Sequence, residues 1–554
     1  MDIKLVLGLV VVVAVVCAIP YVQSQEIRCA NRCFAEVEES LPCQCNRACQ
    51  KYGNCCEDFE LQCLVEHWKK YGRDELQKAL KKQELNKNLA KNVIIFIGDG
   101  MDLTTVTAAR ILKGQQKGLA GEEEKIVWET FPYTGLLKTY ATDRQIPDSA
   151  ATATALFCGV KTKSSTIGVD DRIEVENCAT QEGASVDSVM VDAQEMGKST
   201  GIVTNSYVSD ATPGAMYAHS AYRRWLSGPV DGCEDVTSQI ISKADKVNVI
   251  MGGGRAFMLP NTTADPEDPD SLGTRTDGRN LIEEWTALHE GHNSQYVWKD
   301  EDLTAVDIDE TDYLLGLFAY YRTTYENDRT PETRDPSLAE MTTKAIEILQ
   351  KNKNGFLLMV EGALIDIAHH FGIGQDALNE TIALDEAVSA ALDMVNLDET
   401  LVIVTADHSH GMSMSSGYSS RGNPILGLND QAIGNDKLPY TTLLYNQGPG
   451  GVEELDSIKE TGHRRNLTNE ETMASGFHQS SLIPSSYATH GGVDIPVYAI
   501  GPMAHMLDST HEQNYVAHVI RHAACMGEYA DDCSRFPTRR NKARKRPASA
   551  NIGY

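Results

Sequence analysis

The sequence predicts an α/β fold: a doubly wound, largely parallel central sheet flanked by helices. Short apolar runs of strand length recur along the chain, and longer amphipathic stretches separate them. Apolar runs of this length suit strands that are buried on both faces, and their alternation with helices is typical of a parallel sheet. The runs that predict strands are 93–97, 201–204, 247–251, 356–360, 401–405 and 497–500.

Composition excludes several classes of protein. The chain has 554 residues, of which 42% are hydrophobic and 23% charged, so bulk disorder, collagen and a polytopic membrane protein are ruled out. The formal net charge is −28, which argues against a broad basic face for nucleic acid. We therefore expect no nucleic-acid partner.

Both ends of the chain predict secretion. One lysine precedes the apolar run from Leu5 to Ile19, which is short for a membrane span and predicts a signal peptide over residues 1–24. An uncleaved signal anchor is the alternative. Residues 534–554 carry seven Lys/Arg and no Asp/Glu, and they lack the hydrophobic tail of a glycolipid anchor. We expect a basic disordered tail, with a patch for acidic glycans or membrane surfaces as the other interpretation. The glycosylation sequons, which agree with secretion, are Asn261, Asn379 and Asn466.

Eight cysteines crowd into residues 29–63, which is too dense for core filler. In a secreted chain they predict a small module held by four disulfides, whereas an oxidising compartment disfavours a metal–thiolate cluster. The eight are Cys29, Cys33, Cys43, Cys45, Cys49, Cys55, Cys56 and Cys63. Their spacing, together with Tyr52-Gly53-Asn54-Cys55-Cys56, resembles the somatomedin B domain. That resemblance implies a disulfide-knotted protein-binding module over residues 25–66, with an extracellular partner and no catalysis.

The remaining cysteines are spread over the body of the chain. Cys178 and Cys233 could pair across a loop, and Cys525 and Cys533 could close a short C-terminal loop. Cys158 would then be a buried free thiol. Residues 67–90 predict a linker that ends in a helix, and the body of the chain follows over 91–533.

Acidic residues follow three of the predicted strands. Asp99 comes after 93–97, Glu361 directly after 356–360, and Asp407-His408 after 401–405. Ligands of open α/β sheets bind beyond the carboxyl ends of the strands. One such carboxylate could be a helix cap, but three of them with histidines predict a metal site.

Further metal-binding residues follow at suitable spacings. Asp366 and His370 lie at i and i+4 and would share one helix face; Asp407-His408-Ser409-His410 offers a second set, and His490 is a further ligand. Imidazole and carboxylate without thiolate suit catalytic zinc. Glu361 with a hydroxyl group would suit magnesium.

Ser149 begins a run of small residues, 149–155, that follows Pro147-Asp148. Small residues let a substrate approach a helix N-terminus, which favours an anion. A serine beside zinc could ionise and attack phosphorus. The alternative is an N-cap serine on an alanine-rich helix, and Arg223 taken alone would be a surface residue.

Together these segments resemble the alkaline phosphatase family over residues 91–533. The matching segments are Ile97-Gly98-Asp99-Gly100-Met101, Thr105-Val106-Thr107-Ala108-Ala109-Arg110, Pro147-Asp148-Ser149-Ala150, Tyr217-Ala218-His219 with Arg223 and Trp225, Val360-Glu361-Gly362, Thr405-Ala406-Asp407-His408-Ser409-His410, and Thr489-His490.

The resemblance implies two zinc ions, one magnesium ion and a phosphoserine intermediate in the hydrolysis of phosphomonoesters. It implies a first zinc on Asp366, His370 and His490, and a second on Asp99, Asp407 and His408, facing the catalytic Ser149. It implies magnesium on Asp99, Thr212 and Glu361, with Asp210 beside that site. Arg223 would grip two phosphoryl oxygens with its planar fork.

Several positions depart from the family pattern. Asp210 and Thr212 stand where vertebrate members have His and Ser, and Ile367 stands where a basic or His side chain usually reaches phosphate through water. A calcium site on Glu267, the Phe318 carbonyl and Asp335 is weakened because Ala319 replaces an expected Glu. Ala488 lacks an acidic residue often found near the zinc histidine. Residues 411–487 resemble the crown insertion, which implies a homodimer.

Two rival functions remain open at this point. A nucleotide pyrophosphatase/phosphodiesterase would share the zinc core and the somatomedin B module, but Ser149, Arg223 and the magnesium residues favour a monoesterase. A non-catalytic matrix or adhesion protein is the other alternative, and the complete set of metal ligands argues against it.

Overall fold

A computed structural model describes residues 85–414 and 417–535, and before them residues 43, 49, 54–56, 69–70, 72–74 and 76–77. The chain divides into two compact units, Met1–Glu84 and Leu85–Tyr554. The predicted signal peptide, most of the predicted cysteine-rich module and the tail from residue 536 onward lie outside the described residues.

The described part of the first unit contains two disulfides. Cys43 is bonded to Cys56, and Cys49 to Cys55. Such short-range cross-links suit a module that is too small to bury a sufficient core. The residues described between 69 and 77 are helical.

The second unit is built around a ten-stranded sheet. The strands of the described residues are β1 (Asn92–Gly98), β2 (Tyr133–Lys138), β3 (Ser199–Tyr207), β4 (Val249–Gly253), β5 (Ser294–Val297), β6 (Tyr313–Leu317), β7 (Phe356–Gly362), β8 (Thr400–Ala406), β9 (Ser409–His410), β10 (Met412–Ser413), β11 (Leu444–Gly448), β12 (Ser481–Pro484), β13 (His490–Gly491), β14 (Ile495–Ile500) and β15 (Ser509–Glu512).

The strand order of the large sheet is β15-β2-β14-β8-β1-β7-β3-β4-β6-β5. Only β14 runs antiparallel to its neighbours in this sheet, and the other pairs are parallel. All six predicted strands are present, as β1, β3, β4, β7, β8 and β14. The predicted fold class, a largely parallel sheet flanked by helices, is therefore confirmed.

Helices connect the strands. They are α1 (Leu103–Gln116), α2 (Ser149–Cys158), α3 (Val189–Glu195), α4 (Ala211–Gly214), α5 (Gln239–Ser242), α6 (Arg255–Met258), α7 (Leu281–Leu288), α8 (Asp300–Thr304), α9 (Leu338–Leu349), α10 (Leu364–Phe371), α11 (Gly374–Met394), α12 (Pro449–Thr461), α13 (Asn469–Thr472) and α14 (Tyr515–Ala524). Short 3₁₀ turns lie at Val127–Thr130, Cys178–Thr180, Glu326–Asp328, Ala504–Leu507 and Gly527–Arg535.

The central strands explain why the fold forms. Every residue of β7 and β8 is buried, and β1 is buried from its second residue onward. A strand that is covered on both faces needs apolar side chains at every position, and helices on each face of a parallel sheet provide that cover. The helices α9 and α11 pack against each other on the sheet.

Register brings the carboxyl ends of the central strands level with one another. Ile97 of β1 lies opposite Glu361 of β7, and Gly98 of β1 lies opposite Ala406 of β8. Asp99 and Asp407 each follow immediately. Three carboxylates from three strands therefore meet at the same edge of the sheet, as the sequence predicts.

A smaller region follows β8. The three-stranded sheet β10-β11-β12, together with α12 and α13, occupies part of residues 411–487, which we call the crown segment. The strands β9 and β13 form a separate antiparallel pair, with His410 opposite His490. This pair brings His490, a predicted metal ligand, next to the segment that follows β8.

The cysteines of the second unit are partly paired. Cys178 is bonded to Cys233, whereas Cys158 is a buried free thiol. Cys525 is in a disulfide, and the side chain of its predicted partner Cys533 lies outside the described residues. Among the helices described, none combines the length and the apolar composition needed to cross a bilayer.

Candidate active site

Ser149 lies at the start of α2, at the carboxyl edge of the sheet. Asp148 is the N-cap of that helix, and its side chain accepts a hydrogen bond from the backbone N–H of Ala151. The interpretation of Ser149 as a mere capping residue is therefore wrong, because its neighbour fills that role. The Ser149 side chain is buried, and its Oγ lies 3.2 Å from Nε2 of His408.

One cluster of ligand atoms forms around α10. Asp366 Oδ2 lies 3.2 Å from His370 Nε2, and His370 Nε2 lies 3.1 Å from His490 Nε2. The pairing of β9 with β13 adds His410, whose Nε2 lies 3.5 Å from Asp366 Oδ1. One ligand atom from each of these four residues lies within 4.8 Å of the others, and we call the four the α10 cluster.

The family resemblance implies one zinc ion on Asp366, His370 and His490. The sequence pattern placed His410 only in a possible second set, next to His408. In the β9–β13 pair His410 lies opposite His490, and its Nε2 lies near Asp366 instead.

A second cluster, which we call the β1 cluster, consists of Asp99, Asp366 and His408, again within 4.8 Å of one another. His408 Nε2 lies 3.4 Å from Asp99 Oδ1 and 3.3 Å from Asp407 Oδ2. Asp407 is adjacent, but its oxygens accept hydrogen bonds from Gly100 N at 3.0 Å and from Thr152 Oγ1 at 3.2 Å. Asp366 therefore belongs to both clusters.

The residues predicted for magnesium are also neighbours. Glu361 is buried at the end of β7 and accepts a hydrogen bond from Thr204 Oγ1 at 2.6 Å. Thr212, buried in α4, faces Glu361. Asp210 is the N-cap of that short helix and accepts from Ser206 Oγ at 2.8 Å.

Arg223 reaches the site from a loop and is held by two carboxylates. Its Nη1 donates to Asp148 at 3.2 Å and its Nη2 donates to Asp210 at 3.0 Å. Burial opposes ionisation of both acids, but the Arg223 charge leads the effects that hold the pKa of each below its ordinary value. The guanidinium fork is therefore oriented beside the N-terminus of α2, an arrangement that favours an anion.

The crowding of carboxylates raises two pKa values. Burial, and then the charge of Asp407, raises the pKa of Asp99 well above its ordinary value. Burial, and then the charge of Asp210, raises the pKa of Glu361 to about 8. Such acids gain from a nearby cation, because a cation relieves both the desolvation and the mutual repulsion.

Two of the histidines, His490 and His410, are suited to act as neutral ligands. In His370, by contrast, burial opposes the charge, but the charge and hydrogen bond of Asp366 outweigh it and raise the pKa. Burial, followed by the neighbouring His408, lowers the pKa of His490 to about 4, and burial lowers the pKa of His410 well below its ordinary value. Asp366 behaves in the opposite way: burial opposes its charge, but His370 and the other facing histidines hold its pKa well below the ordinary range. Neutral imidazole beside ionised carboxylate is the state that zinc requires.

Unpartnered atoms test whether this donor set fits a metal. Asp99 Oδ1, Asp366 Oδ1 and His410 Nε2 are buried, and none has a hydrogen-bond partner among the described residues. Buried polar atoms without a partner are costly, so a ligand is expected to satisfy them. Nitrogen and oxygen donors in this arrangement fit zinc, and the oxygen donors around Glu361 fit magnesium.

The residues aligned with a calcium site are engaged differently. Glu267 forms an ion pair with the buried Arg255, and Asp335 accepts from Thr324 and Arg329. Neither acid belongs to a group of metal-ligand side chains within the described residues. With Ala319 in place of a carboxylate, these residues do not fit calcium.

Comparisons with known proteins give matches over most of the chain. The alkaline phosphatase family model matches residues 90–526, and the somatomedin B domain model matches residues 27–66. The chain is 44% identical over 479 residues to the tissue-nonspecific alkaline phosphatase of Rattus norvegicus, which covers 84% of this chain and 90% of the relative. It is 44% identical over 471 residues to alkaline phosphatase of Gadus morhua, covering 83% and 97%.

Solved structures share the fold. The alkaline phosphatase of Thermus thermophilus superposes with a TM-score of 0.58 at 22% identity, covering 80% of this chain and 93% of that one. The predicted enzyme class is confirmed by these relatives together with the family model. The chain therefore belongs to the alkaline phosphatase family and carries a somatomedin B domain ahead of the phosphatase region.

Proposed function

We propose that the chain hydrolyses phosphomonoesters through a phosphoserine formed on Ser149. The observation that supports this most strongly is the convergence of four groups at one sheet edge: the Ser149 hydroxyl, the fork of Arg223, the α10 cluster and the β1 cluster. A buried hydroxyl at a helix N-terminus, beside an oriented guanidinium, can bind and receive a phosphoryl group.

Arg223 and Ser149 have different roles in the proposed reaction. Arg223 binds two phosphoryl oxygens with its planar fork, while Asp148 and Asp210 hold that fork in place. Ser149 Oγ attacks phosphorus in line with the departing alcohol oxygen, and a water molecule then attacks the phosphoserine from the same side that the alcohol left. Two in-line steps give one alcohol and one orthophosphate.

Metals would bind the residues already described. Asp366, His370 and His490 would hold one zinc ion, and Asp99, Asp407 and His408 a second, while Asp99, Thr212 and Glu361 would hold magnesium. When bound, such ions supply Lewis acidity that favours an ionised serine or water and stabilises the departing oxygen. His410 is a further imidazole within reach of the first zinc ligands.

The position of Arg223 favours hydrolysis of monoesters over hydrolysis of diesters. Its two carboxylate partners fix the fork against the phosphate site, where the second ester group of a diester would need room. We therefore expect a large preference for monoesters.

The test uses the full protein stripped with a chelator and assayed at alkaline pH. We expect no hydrolysis of p-nitrophenyl phosphate by the stripped protein, recovery with zinc, and a further increase with magnesium. Ser149→Ala should abolish this activity, since it removes the buried hydroxyl beside His408 that would receive the phosphoryl group.

Two results would contradict the proposal. Comparable rates on p-nitrophenyl phosphate and bis-p-nitrophenyl phosphate would indicate a diesterase. Absence of hydrolysis of both substrates with metals bound would favour a matrix or adhesion role. Thr154→Ser is a control on the same helix, because it keeps the hydroxyl that donates to the Ala150 carbonyl and accepts from Gly168 N.

We also propose an extracellular location. The somatomedin B match and the disulfides Cys43–Cys56, Cys49–Cys55 and Cys178–Cys233 support it, since such bonds persist in oxidising compartments. Asn261 and Asn466 are exposed and suit glycosylation, whereas Asn379 is half-buried within α11. The somatomedin B domain would tether the phosphatase to an extracellular protein.

Finally, we propose that the chain forms a homodimer through the crown segment. Exposed apolar side chains cluster on α12 and β12, including Leu455, Ile458 and Leu482. These three also line a groove of about 810 Å³. Apolar surface of this kind on a soluble protein marks an interaction site.

A further inference from the structure

Arg322 stands out among the charged residues near the site. It is exposed in the loop that follows β6, and its guanidinium makes no hydrogen bond or ion pair with any described residue. Its Cζ lies 5.4 Å from the centroid of the Tyr207 ring, which holds it by a cation–π contact. An arginine that is positioned in this way and forms no ion pair with a described residue is available to a ligand.

Tyr207 connects Arg322 to the phosphate site. It ends β3, three residues before Asp210, and its hydroxyl interacts with the Asp210 carboxylate. Asp210 in turn accepts from Arg223 at 3.0 Å. Among the effects that lower the pKa of Asp210, the charge of Arg322 is second only to that of Arg223, so both arginines lie within electrostatic range of the same carboxylate.

Aromatic rings fix the loop that carries Arg322. The Tyr207 and Phe257 centroids are 4.9 Å apart, those of Phe257 and Tyr321 are 5.5 Å apart, and those of Tyr320 and Tyr321 are 4.4 Å apart. Aromatic pairs at such distances stabilise one arrangement. Arg322 therefore projects from a rigid base.

Carboxylates outnumber guanidinium groups around Arg223, and Arg322 adds positive charge on the Asp210 side. Arg223 alone is paired with two carboxylates, Asp148 and Asp210, in a protein of net charge −28. A polyanionic substrate would be repelled by that excess of negative charge. A second guanidinium on the Asp210 side balances it, and its fork matches the geometry of a phosphate group.

We propose that Arg322 binds a second phosphoryl group of the substrate, beside the phosphoryl group gripped by Arg223. The site thereby selects substrates whose leaving group itself carries a phosphate. This inference rests on the phosphatase activity proposed above. For inorganic pyrophosphate, water adds across the P–O–P bridge, the bridging oxygen leaves with the second phosphoryl group, and two orthophosphates result.

The test compares kcat/KM for inorganic pyrophosphate and for p-nitrophenyl phosphate, using the full protein loaded with zinc and magnesium. Arg322→Ala should lower kcat/KM for pyrophosphate about tenfold, mainly by raising KM, because one charge-assisted contact is lost. The loss on p-nitrophenyl phosphate should be several times smaller. Arg322→Lys should retain part of the pyrophosphate activity, since it keeps the charge without the fork.

Lys246→Ala is the matched control. Lys246 is an exposed cation in the turn before β4, at the amino edge of the sheet and so opposite the site. It should leave the ratio of the two kcat/KM values unchanged. Raising the salt concentration should lower that ratio in the wild type and in the Lys246→Ala variant more than in the Arg322→Ala variant.

The possible failures are distinguishable. A wild-type protein that hydrolyses neither substrate would refute the proposed phosphatase and this inference with it. An active protein in which Arg322→Ala lowers both activities equally, or neither, would refute the role of Arg322 alone. Thermal unfolding of each variant shows whether an equal loss reflects the fold.

Discussion

At the scale of single residues, Arg223 and Ile367 have opposite consequences for phosphate. Burial opposes the charge of Arg223, but Asp210 and Asp148 raise its pKa above the ordinary value, so it remains a cation. Ile367 lies half-buried on α10, between Asp366 and His370. Its side chain offers no hydrogen-bond donor, whereas the family resemblance in the sequence predicts a basic or histidine side chain at this position.

Ile367→His should therefore strengthen product inhibition. An imidazole at this position would add a donor toward phosphate, and we expect the inhibition constant of orthophosphate to fall about tenfold. Steady-state inhibition with p-nitrophenyl phosphate measures it. Ile308→His places the same change on a half-buried isoleucine ahead of the amino end of β6, where no effect is expected. An unchanged constant in the Ile367→His variant would remove this residue from the phosphate site.

At the scale of elements, α10 depends on a neighbour for its first turn. Its N-cap is Ala363, which has no side chain able to cap. Asn205, buried near the end of β3, accepts from Ala363 N at 2.7 Å and Leu364 N at 3.2 Å. Its amide nitrogen donates to Glu380 at 3.0 Å, and burial raises the pKa of Glu380 to about 8. Asn205 thus positions the helix that carries Asp366 and His370.

Asn205→Ala should weaken zinc binding. Removing both bonds to the helix start costs about 1–2 kcal/mol and loosens the ligand geometry, so we expect about tenfold lower zinc affinity. Competition with a chelator measures it, and saturating zinc should restore most of the activity.

Asn248→Ala is the control for that variant. Asn248 also bonds to backbone groups, Thr200 N and the Asp312 carbonyl, but it lies before the amino end of β4. Equal zinc affinity in the two variants would show that Asn205 contributes only to general stability.

At the scale of the whole molecule, two features lie outside the active site. The unit Met1–Glu84 holds the somatomedin B match, and the crown segment exposes apolar side chains on α12 and β12. The largest exposed fraction among them is that of Leu482, at 71%. A side chain so exposed contributes little to folding of one chain, so its role is expected in association.

Leu482→Asp should therefore dissociate the proposed dimer without unfolding the chain. Burying a carboxylate in an apolar interface is costly, so sedimentation should give the mass of one chain, 60.8 kDa before processing, in place of twice that mass. Leu288→Asp, at the end of α7 outside the crown segment, is the control and should leave the mass unchanged. A wild-type protein that is already monomeric would contradict the proposal.

Most of the central sheet and the carboxylates at its edge could be predicted from the sequence. Apolar runs of strand length predict β1, β3, β4, β7, β8 and β14, because such runs, separated by amphipathic stretches, suit strands that are buried on both faces. The residues that follow those strands must meet at one edge, so Asp99, Glu361 and Asp407 were predictable, and the i, i+4 spacing of Asp366 and His370 was local. Four strands of the large sheet, β2, β5, β6 and β15, were not predicted. All four lie toward the ends of the sheet, and β2, β5 and β15 are also less apolar than the predicted strands.

Which residues share a cluster depends on contacts between distant parts of the chain. His410 joins Asp366 because β13 pairs with β9, a contact between segments 80 residues apart in the chain. Asn205 and Arg322 reach the site from β3 and from the loop after β6, and no motif marks either of them. Long-range pairing of this kind depends on packing across the whole sheet, whereas periodicity in a sequence reports only which face of one element is buried.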